Sequence, residues 1–250
     1  MLASPQLCDL ARLPLFAGLT EAQLAEVGLL LRMRIVGPGT PLLSAQEKAT
    51  LVYFVQKGTV KICSHEWGDD EVIIAILGPG EMLGEIHCVD GLGHSADAVT
   101  LERCEMLCME GAAFQHCCET MPALNTNLLR LLARRARFAT ARLQVMATKS
   151  MSGRLAFQLL SFAQSCGGPA ADGGTIIPLR LTQTDLAEAT GLSAVHINRT
   201  LQEMRSAGLV ILRDHVLTIP DLPALQVAAM FNPAYLHLDH EGHQLDANEA

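Results

Sequence analysis

Hydrophobic positions change their spacing twice along this chain. In "LPLFAGLTEAQLAEVGLLL" (13–31), Leu24, Val27 and Leu31 recur at helical spacing behind Thr20, a residue type that caps helix N-termini. From Met33 to about Glu110 the texture shortens. Apolar, β-rich runs ("LVYFVQ", "TVKICS", "EVIIAIL", "ADAVTL", "CEMLCM") alternate with turn clusters ("GPGT", "KG", "WGDD", "GPGE", "DGLG"). That rhythm predicts an all-β barrel, roll or sandwich. In the last run Cys104, Met106 and Cys108 fall on one strand face.

After Pro122 the period lengthens again. Leu129, Leu132, Ala136, Ala139, Leu143 and Met146 repeat at intervals of three and four, which predicts a long helix with an a/d seam flanked by arginines. So narrow an apolar stripe needs a partner. The partner is either the chain's own β-rich part or a second copy, and the small Ala136 and Ala139 permit the close helix approach that favours a dimer. "KSMSGR" (149–154) interrupts the pattern; Ser152 is suited to capping a new helix that buries Leu155, Leu159, Leu160 and Phe162. "CGGPAADGG" is a turn, and "TIIPLRL" a short strand.

The stretch "LTQTDLAEATGLSAVHINRTLQEMRSAGLV" (181–210) reads as two short helices around a glycine. Thr182 and Asp185 form a variant capping box, so the first helix runs from Gln183 to Thr190 and Gly191 ends it. Ser193 caps the second. Ile197, Leu201 and Met204 point inward toward Leu186 and Leu192, leaving Val195, His196, Asn198, Arg199 and Gln202 on other faces, and Gly208 stops the helix. This is the pattern of a DNA-binding helix-turn-helix, although a structural helical hairpin shares it. "VILRDHVLTIPD" then reads as a β-hairpin, which adds a wing and favours the DNA reading.

Composition refines the picture. The chain has 250 residues, half of them hydrophobic, enough for two modest domains with real cores. No uninterrupted apolar run is long enough to span a bilayer, and the N-terminus lacks the order of a signal peptide, so a cytoplasmic location is expected. The eight cysteines match neither a disulfide framework nor paired zinc ligands, and are expected mostly as small buried hydrophobes. Cys117 and Cys118 beside His116 leave a redox or metal switch open. The net charge of -8 argues against a general nucleic-acid coat. Its distribution softens that: residues 121–150 carry Arg130, Arg134, Arg135, Arg137, Arg142 and Lys149 and no acidic residue. The tail holds His237, His240 and His243 among carboxylates, a pattern able to bind a divalent metal but simpler as a solvated acidic tail.

The whole order resembles the cyclic-AMP receptor protein and fumarate-nitrate-reduction regulator (CRP/FNR) family. The resemblance runs from about Leu13 to Leu225 and rests on "LPLFAGL", "VYFVQKGTVKI", "LGPGEMLGE", "HSADAV" and the helix-turn-helix stretch. It implies an α+β fold: an effector β-roll similar to cyclic-nucleotide-binding domains (1–120), a dimerisation helix (121–150), a winged helix-turn-helix (151–232) and a tail (233–250). It also implies a homodimeric transcription regulator rather than an enzyme, bound to an inverted-repeat site in double-stranded DNA and working with RNA polymerase. Whether it acts as an activator is not written in the residues.

In cyclic-nucleotide-binding relatives a glycine-glutamate pair and an arginine-serine pair hold the ribose and cyclic phosphate. Here Gly84 and Glu85 match the first pair; His94 replaces the arginine, and Ser95 matches. Arginine is a permanently charged fork, whereas histidine is only fractionally charged near neutrality. Of two hydroxyl residues that relatives set against the base, only Thr140 survives, beside Ala139. The resemblance therefore leaves three readings: cyclic AMP, another ligand such as a cyclic dinucleotide, or a packed remnant in a regulator that needs no ligand. An iron-sulfur cluster is disfavoured because Cys8 stands alone near the N-terminus. Haem through Cys63, His65 or His87 lacks a diagnostic spacing. The family implies that Arg199 contacts a guanine, while Val195 stands where relatives use a glutamate. Arg180, ahead of the helices, would touch the phosphate backbone. A cupin-like metalloenzyme is the rival class; it needs clustered ligands such as H-x-H, which the chain lacks, and leaves the helix-turn-helix unexplained.

Overall fold

The computed structural model describes residues 10–45, 47, 51–64, 71–148, 150–171, 173–213 and 216–229, with the side chains of Thr148 and Arg180 outside that description. Cys8, His65, the wing-tip residues Asp214 and His215, and the histidine-containing tail therefore lie outside the described residues. Packing divides the chain into two units. Among the described residues, the first comprises those up to Ile62 with Leu77–Arg134, and the second those of Cys63–Ile76 with Arg135–Ala229.

The first unit opens with a 3-10 turn at Pro14–Phe16 and helix α1, Glu21–Leu30. Thr20 caps α1 as its position suggested: its hydroxyl accepts from the Gln23 backbone N–H at 3.3 Å, and the Gln23 side chain accepts from the Thr20 N–H at 3.0 Å. Each β-rich run becomes a strand: β3 (Leu51–Lys57), β4 (Val60–Ser64), β5 (Val72–Leu77), β7 (Asp97–Thr100) and β8 (Cys104–Glu110). Three short strands join them: β1 (Arg32–Val36), β2 (Pro41–Leu43) and β6 (Met82–Leu83). They form one sheet of order β1-β8-β3-β6 and another of order β2-β7-β4-β5, which is the expected β-roll; the end of β4 and most of β5 are counted with the second unit.

Strand β8 pairs antiparallel with both β1 and β3, so it is central and buried on both faces. Cys104, Met106 and Cys108 do share a face; Leu107 and Met109 on the other face join Val52, Phe54, Phe16 and Phe114 in the core of this unit. Helices α2 (Glu85–Asp90) and α3 (Gly111–Thr120) follow.

Helix α4 spans Pro122–Thr148, and the packing boundary falls inside it. Its buried positions are Leu124, Leu128 and Leu131 in the first unit's core and Ala141 and Val145 in the second's. The predicted seam occupies a different face. Leu129, Leu143 and Met146 are 61%, 68% and 38% exposed, Ala136 and Ala139 are exposed, and Leu132 is half-buried. One helix thus carries two apolar stripes; the first is buried, and the second is mostly exposed among the described residues, with Leu132 at the margin of the first unit's core.

Helix α5 (Met151–Cys166) runs through the middle of the second unit's core, which explains why Leu155, Leu159, Leu160 and Phe162 are all buried. Its cap is Ser150, whose hydroxyl accepts from the Gly153 N–H at 3.2 Å; this corrects the assignment to Ser152. Met151–Gly153 lie in the first turn of α5, so within "KSMSGR" it is the stretch ahead of Met151 that separates α5 from α4, which ends at Thr148. Strands β9 (Gly168–Pro169), β10 (Thr175–Arg180), β11 (Ile211–Arg213) and β12 (Val216–Ile219) form a sheet of order β11-β12-β10-β9. Helices α6 (Gln183–Thr190), α7 (Ala194–Ser206) and α8 (Leu222–Ala229) complete the unit.

Candidate nucleic-acid interface and effector cradle

Helices α6 and α7 are set by local chemistry that the sequence displays. Thr182 and Asp185 close a reciprocal capping box: the Thr182 hydroxyl accepts from the Asp185 N–H at 3.1 Å, and the Asp185 carboxylate accepts from the Thr182 N–H at 2.7 Å. Gly191 turns the chain at φ 66°, a left-handed conformation that L side chains rarely adopt. The tail of Met146 stands 3.6 Å from where a Cβ would sit at Gly191, so this seam residue partly packs on the turn.

The hydroxyl of Ser193 caps α7 and also lies 2.8 Å from Nδ1 of His196, leaving Nε2 as that ring's other polar edge. Ile197, Leu201 and Met204 are buried in a core shared with Leu186 and, at its margin, Leu192. Val195 is 78% exposed, and His196, Asn198, Arg199 and Gln202 are exposed with it. Thus α7 packs along one face and presents a solvent-facing row of side chains along the rest. Within that row Nε of Arg199 lies 3.0 Å from Oε1 of Glu203, and the Gln202 amide donates to Oδ1 of Asn198 at 3.4 Å. Strands β11 and β12 pair antiparallel as the wing, and Arg180 pairs through its backbone with Val216.

The cradle residues of the first unit bracket α2. Gly84 starts the helix at φ 92°, and a Cβ there would come within 2.7 Å of the Leu51 carbonyl oxygen, so both backbone and space require glycine. Glu85 is buried beside Cys88, whose thiol is pushed up to about 11 by burial first and then by Glu85. The loop after α2 folds back on it: the Gly93 N–H donates to Nδ1 of His87 at 2.9 Å, and the His87 and His94 rings meet edge-on at 5.9 Å. Nε2 of His94 is buried with no hydrogen-bond partner among the described residues. Burial, and then His87, hold the His94 imidazole below its ordinary range, against a weaker upward pull from Glu47. The expected fractionally charged donor is therefore biased toward its neutral form. Ser95 is exposed. Thr140 belongs to the second unit, where its hydroxyl donates to the Ala136 carbonyl at 3.0 Å.

The Cys117–Cys118 pair does not have the character of a reactive thiol site. Burial, and then Cys117 and Cys88, raise Cys118 to about 11, and burial raises Cys117; a reactive thiol needs the opposite shift. Among the described residues no group of three or more His, Cys, Asp or Glu is arranged to hold a metal ion.

One structural anchor is hidden among the arginines of α4. Arg142 turns inward within the second unit. Its Nη1 donates to the Ile74 carbonyl, and its Nη2 donates to the carbonyls of Ile73 at 2.8 Å and Ala189 at 2.9 Å. Ile73 and Ile74 belong to β5, and Ala189 to the last turn of α6, where carbonyls lack intrahelical partners and a cation is favoured. Nearby, Arg154 donates to the Met146 carbonyl of α4 at 2.5 Å. Sequence shows that α4 is rich in arginine but not which arginine faces in. The pairing of Arg199 with Glu203, by contrast, follows from a spacing of four that the sequence displays.

Comparison with known proteins agrees with this architecture. The family model for the cyclic nucleotide-binding domain matches residues 33–121, and that for the Crp-like helix-turn-helix domain matches residues 153–228. The chain is 27% identical over 216 residues to the Cyclic AMP receptor protein of Thermus thermophilus, covering 86% of this chain and 96% of that one. It is 28% identical over 213 residues to the CRP-like cAMP-activated global transcriptional regulator of Mycobacterium tuberculosis, covering 85% and 94%. Among solved structures, the c-di-GMP responsive global regulator CLP of Xanthomonas campestris superimposes with TM-score 0.67 at 20% identity, covering 81% of this chain and all of that one. A CooA variant from Carboxydothermus hydrogenoformans does so with TM-score 0.66 at 19% identity, covering 92% and 98%. These two similarities establish the fold; none of these comparisons supports a cupin-like enzyme. With a cyclic nucleotide-binding domain followed by a Crp-like helix-turn-helix, the chain belongs to the CRP/FNR family of DNA-binding transcriptional regulators.

Proposed function

We propose that the chain works as a homodimer that reads an inverted repeat in double-stranded DNA with α7 and couples that reading to the state of the β-roll. The observation that carries this is the division of α7: Ile197, Leu201 and Met204 buried, with Val195, His196, Asn198, Arg199 and Gln202 exposed in a row and Ser193 at the cap. Arg199 is the candidate for a bidentate contact to guanine O6 and N7. Val195 has no acceptor and suits a thymine methyl, so the neighbouring bases depart from those a glutamate would select. Arg180 is proposed for the phosphate backbone.

Dimerisation through α4 is supported by the stripe of Leu129, Leu132, Ala136, Ala139, Leu143 and Met146, of which Leu129, Ala136, Ala139 and Leu143 are exposed among the described residues. The effector is proposed to lie against Gly84, Glu85, His94 and Ser95 of the first unit. The two curated relatives, both named for cyclic AMP, support a cyclic nucleotide as the ligand class. His94 in place of arginine makes phosphate binding draw a proton onto a ring that is otherwise biased neutral. The domain boundaries read from the sequence, a cytoplasmic location and a contact with RNA polymerase complete the proposal; no described helix is long and apolar enough to cross a membrane.

Coupling is proposed to run through Arg142. Strand β5 continues into the turn that leads to Gly84 and Glu85, so a change at the cradle pulls on the strand whose carbonyls Arg142 holds together with the end of α6.

Binding-site selection on purified protein tests the reading. It should yield an inverted repeat with a guanine in each half-site, and Arg199→Ala should cost about 1–3 kcal/mol and relax preference at that base. A selected site without two-fold symmetry, or one indifferent to Arg199→Ala, would overturn it.

A further inference from the structure

The recognition helix holds a second charged side chain that a guanine contact does not use. Glu203 lies four residues beyond Arg199, and its Oε1 is 3.0 Å from Nε of Arg199. A guanidinium has two edges for a bidentate contact, one formed by Nε with a terminal nitrogen and one by the two terminal nitrogens. A carboxylate on Nε occupies the first edge and leaves the second free.

We propose that Glu203 is a positioning residue that determines specificity: by holding Nε it makes Arg199 meet its base end-on through both terminal nitrogens. This rests on the reading of Arg199 as the guanine contact. The pair itself does little for the free protein. Its side chains are 78% and 58% exposed, and an exposed pair at this spacing is weak and screened by salt. Its effect arises on binding, when one of the most flexible side chains must be fixed; an arginine already held loses less freedom at that moment. Water is also displaced from the groove, so each remaining polar contact strengthens.

The carboxylate has a second consequence, of opposite sign. A negative charge on the DNA-facing row repels phosphates whatever the sequence. Glu203 therefore sharpens discrimination while weakening non-specific binding. A residue that merely stabilised α7 would weaken both together, and a phosphate contact would strengthen both. The arrangement resembles that of Ser193 and His196 one turn earlier, where a hydroxyl 2.8 Å from Nδ1 fixes one edge of a ring and leaves Nε2 as the other.

The test uses the full chain and fluorescence anisotropy on three duplexes: the selected inverted repeat, the same site with the half-site guanine replaced by adenine, and an unrelated sequence. Glu203→Ala should reduce guanine-over-adenine discrimination roughly three- to tenfold per half-site while tightening binding to the unrelated duplex. Glu203→Gln, which keeps an oxygen for Nε, should retain more discrimination than Glu203→Ala. In an Arg199→Ala background Glu203→Ala should have no further effect on discrimination. If Arg199→Ala abolishes the guanine preference but Glu203→Ala leaves it intact, the positioning role is wrong and the guanine contact stands. If Arg199→Ala itself leaves the preference unmoved, the guanine contact falls as well. Thermal melting of all variants should match the parent, because the pair is exposed.

Discussion

Replacing Arg142 with methionine keeps much of the side chain's length and removes its charge. The guanidinium donates to three carbonyls, Ile73, Ile74 and Ala189. Hydrogen bonds from a charged donor are worth about 1.5–3 kcal/mol each, so three would sum to several kcal/mol. Two effects reduce that figure. Burial already depresses the guanidinium's affinity for its proton, and its acceptors here are carbonyls rather than a carboxylate, so desolvation of the charge is only partly repaid. The side chain is also only half-buried, so water can reach part of what methionine would leave.

A net loss of about 2–4 kcal/mol in the free energy holding β5 to α6 is the reasonable outcome. Amide exchange measured by mass spectrometry is the assay. Peptides covering β5 and the end of α6 should exchange about 30- to 1000-fold faster where they open locally, since each 1.4 kcal/mol is tenfold. Arg142→Lys should fall between, because an ammonium can satisfy fewer of the three carbonyls in that geometry. Arg137→Met, at an exposed position on the same helix, is the control and should change nothing. Unchanged exchange in Arg142→Met would refute the reasoning and assign the hold to apolar packing among Ile73, Ala141, Val145 and Ala189.

Leu143→Arg should leave the fold of each unit intact, because Leu143 is 68% exposed, yet shift the protein toward monomer in sedimentation and weaken binding to an inverted repeat; an unaltered dimer would move the interface elsewhere. His94 has a folded-state affinity for protons below its ordinary value, so its stability contribution is fully present above about pH 6.5 and is lost as pH falls from there through the folded value. Denaturant titrations of His94→Gln should therefore show a shallower decline in acid than the parent, and parallel curves would rule out His94 as the group responsible. If a cyclic nucleotide's phosphate rests on His94, calorimetry with cyclic AMP should show proton uptake as a buffer-dependent heat. His94→Arg should abolish that uptake and tighten binding; no binding of cyclic mono- or dinucleotides to either form would favour a ligand-independent cradle.

Local chemistry was legible because it repeats over short distances. The capping boxes at Thr20 and Thr182 need only residues three apart, and the turn at Gly191 needs one residue that tolerates a positive φ. The buried face of α7 follows from a period of 3.6, and the β-roll from alternating runs and turns. The order of these elements was enough to indicate the family.

What sequence could not determine depends on partners distant along the chain. The spacing on α4 showed one apolar stripe; the second, with Leu128 and Val145, emerges from packing, which buries it and leaves Leu129 and Leu143 exposed. Six basic side chains stand between residues 121 and 150, and nothing local marks Arg142 as the one that meets β5 and α6, elements 68 and 47 residues away. The cap of α5 belongs to Ser150 rather than Ser152 because the helix begins where the core takes up Gly153 and Leu155. His94 looked like a half-charged donor in sequence; burial and the facing ring of His87 bias it toward neutrality, and both arise only when the loop after α2 folds back on that helix. Backbone conformation is set by neighbours in the chain, whereas burial and the charge state of a titrating group are set by neighbours in space.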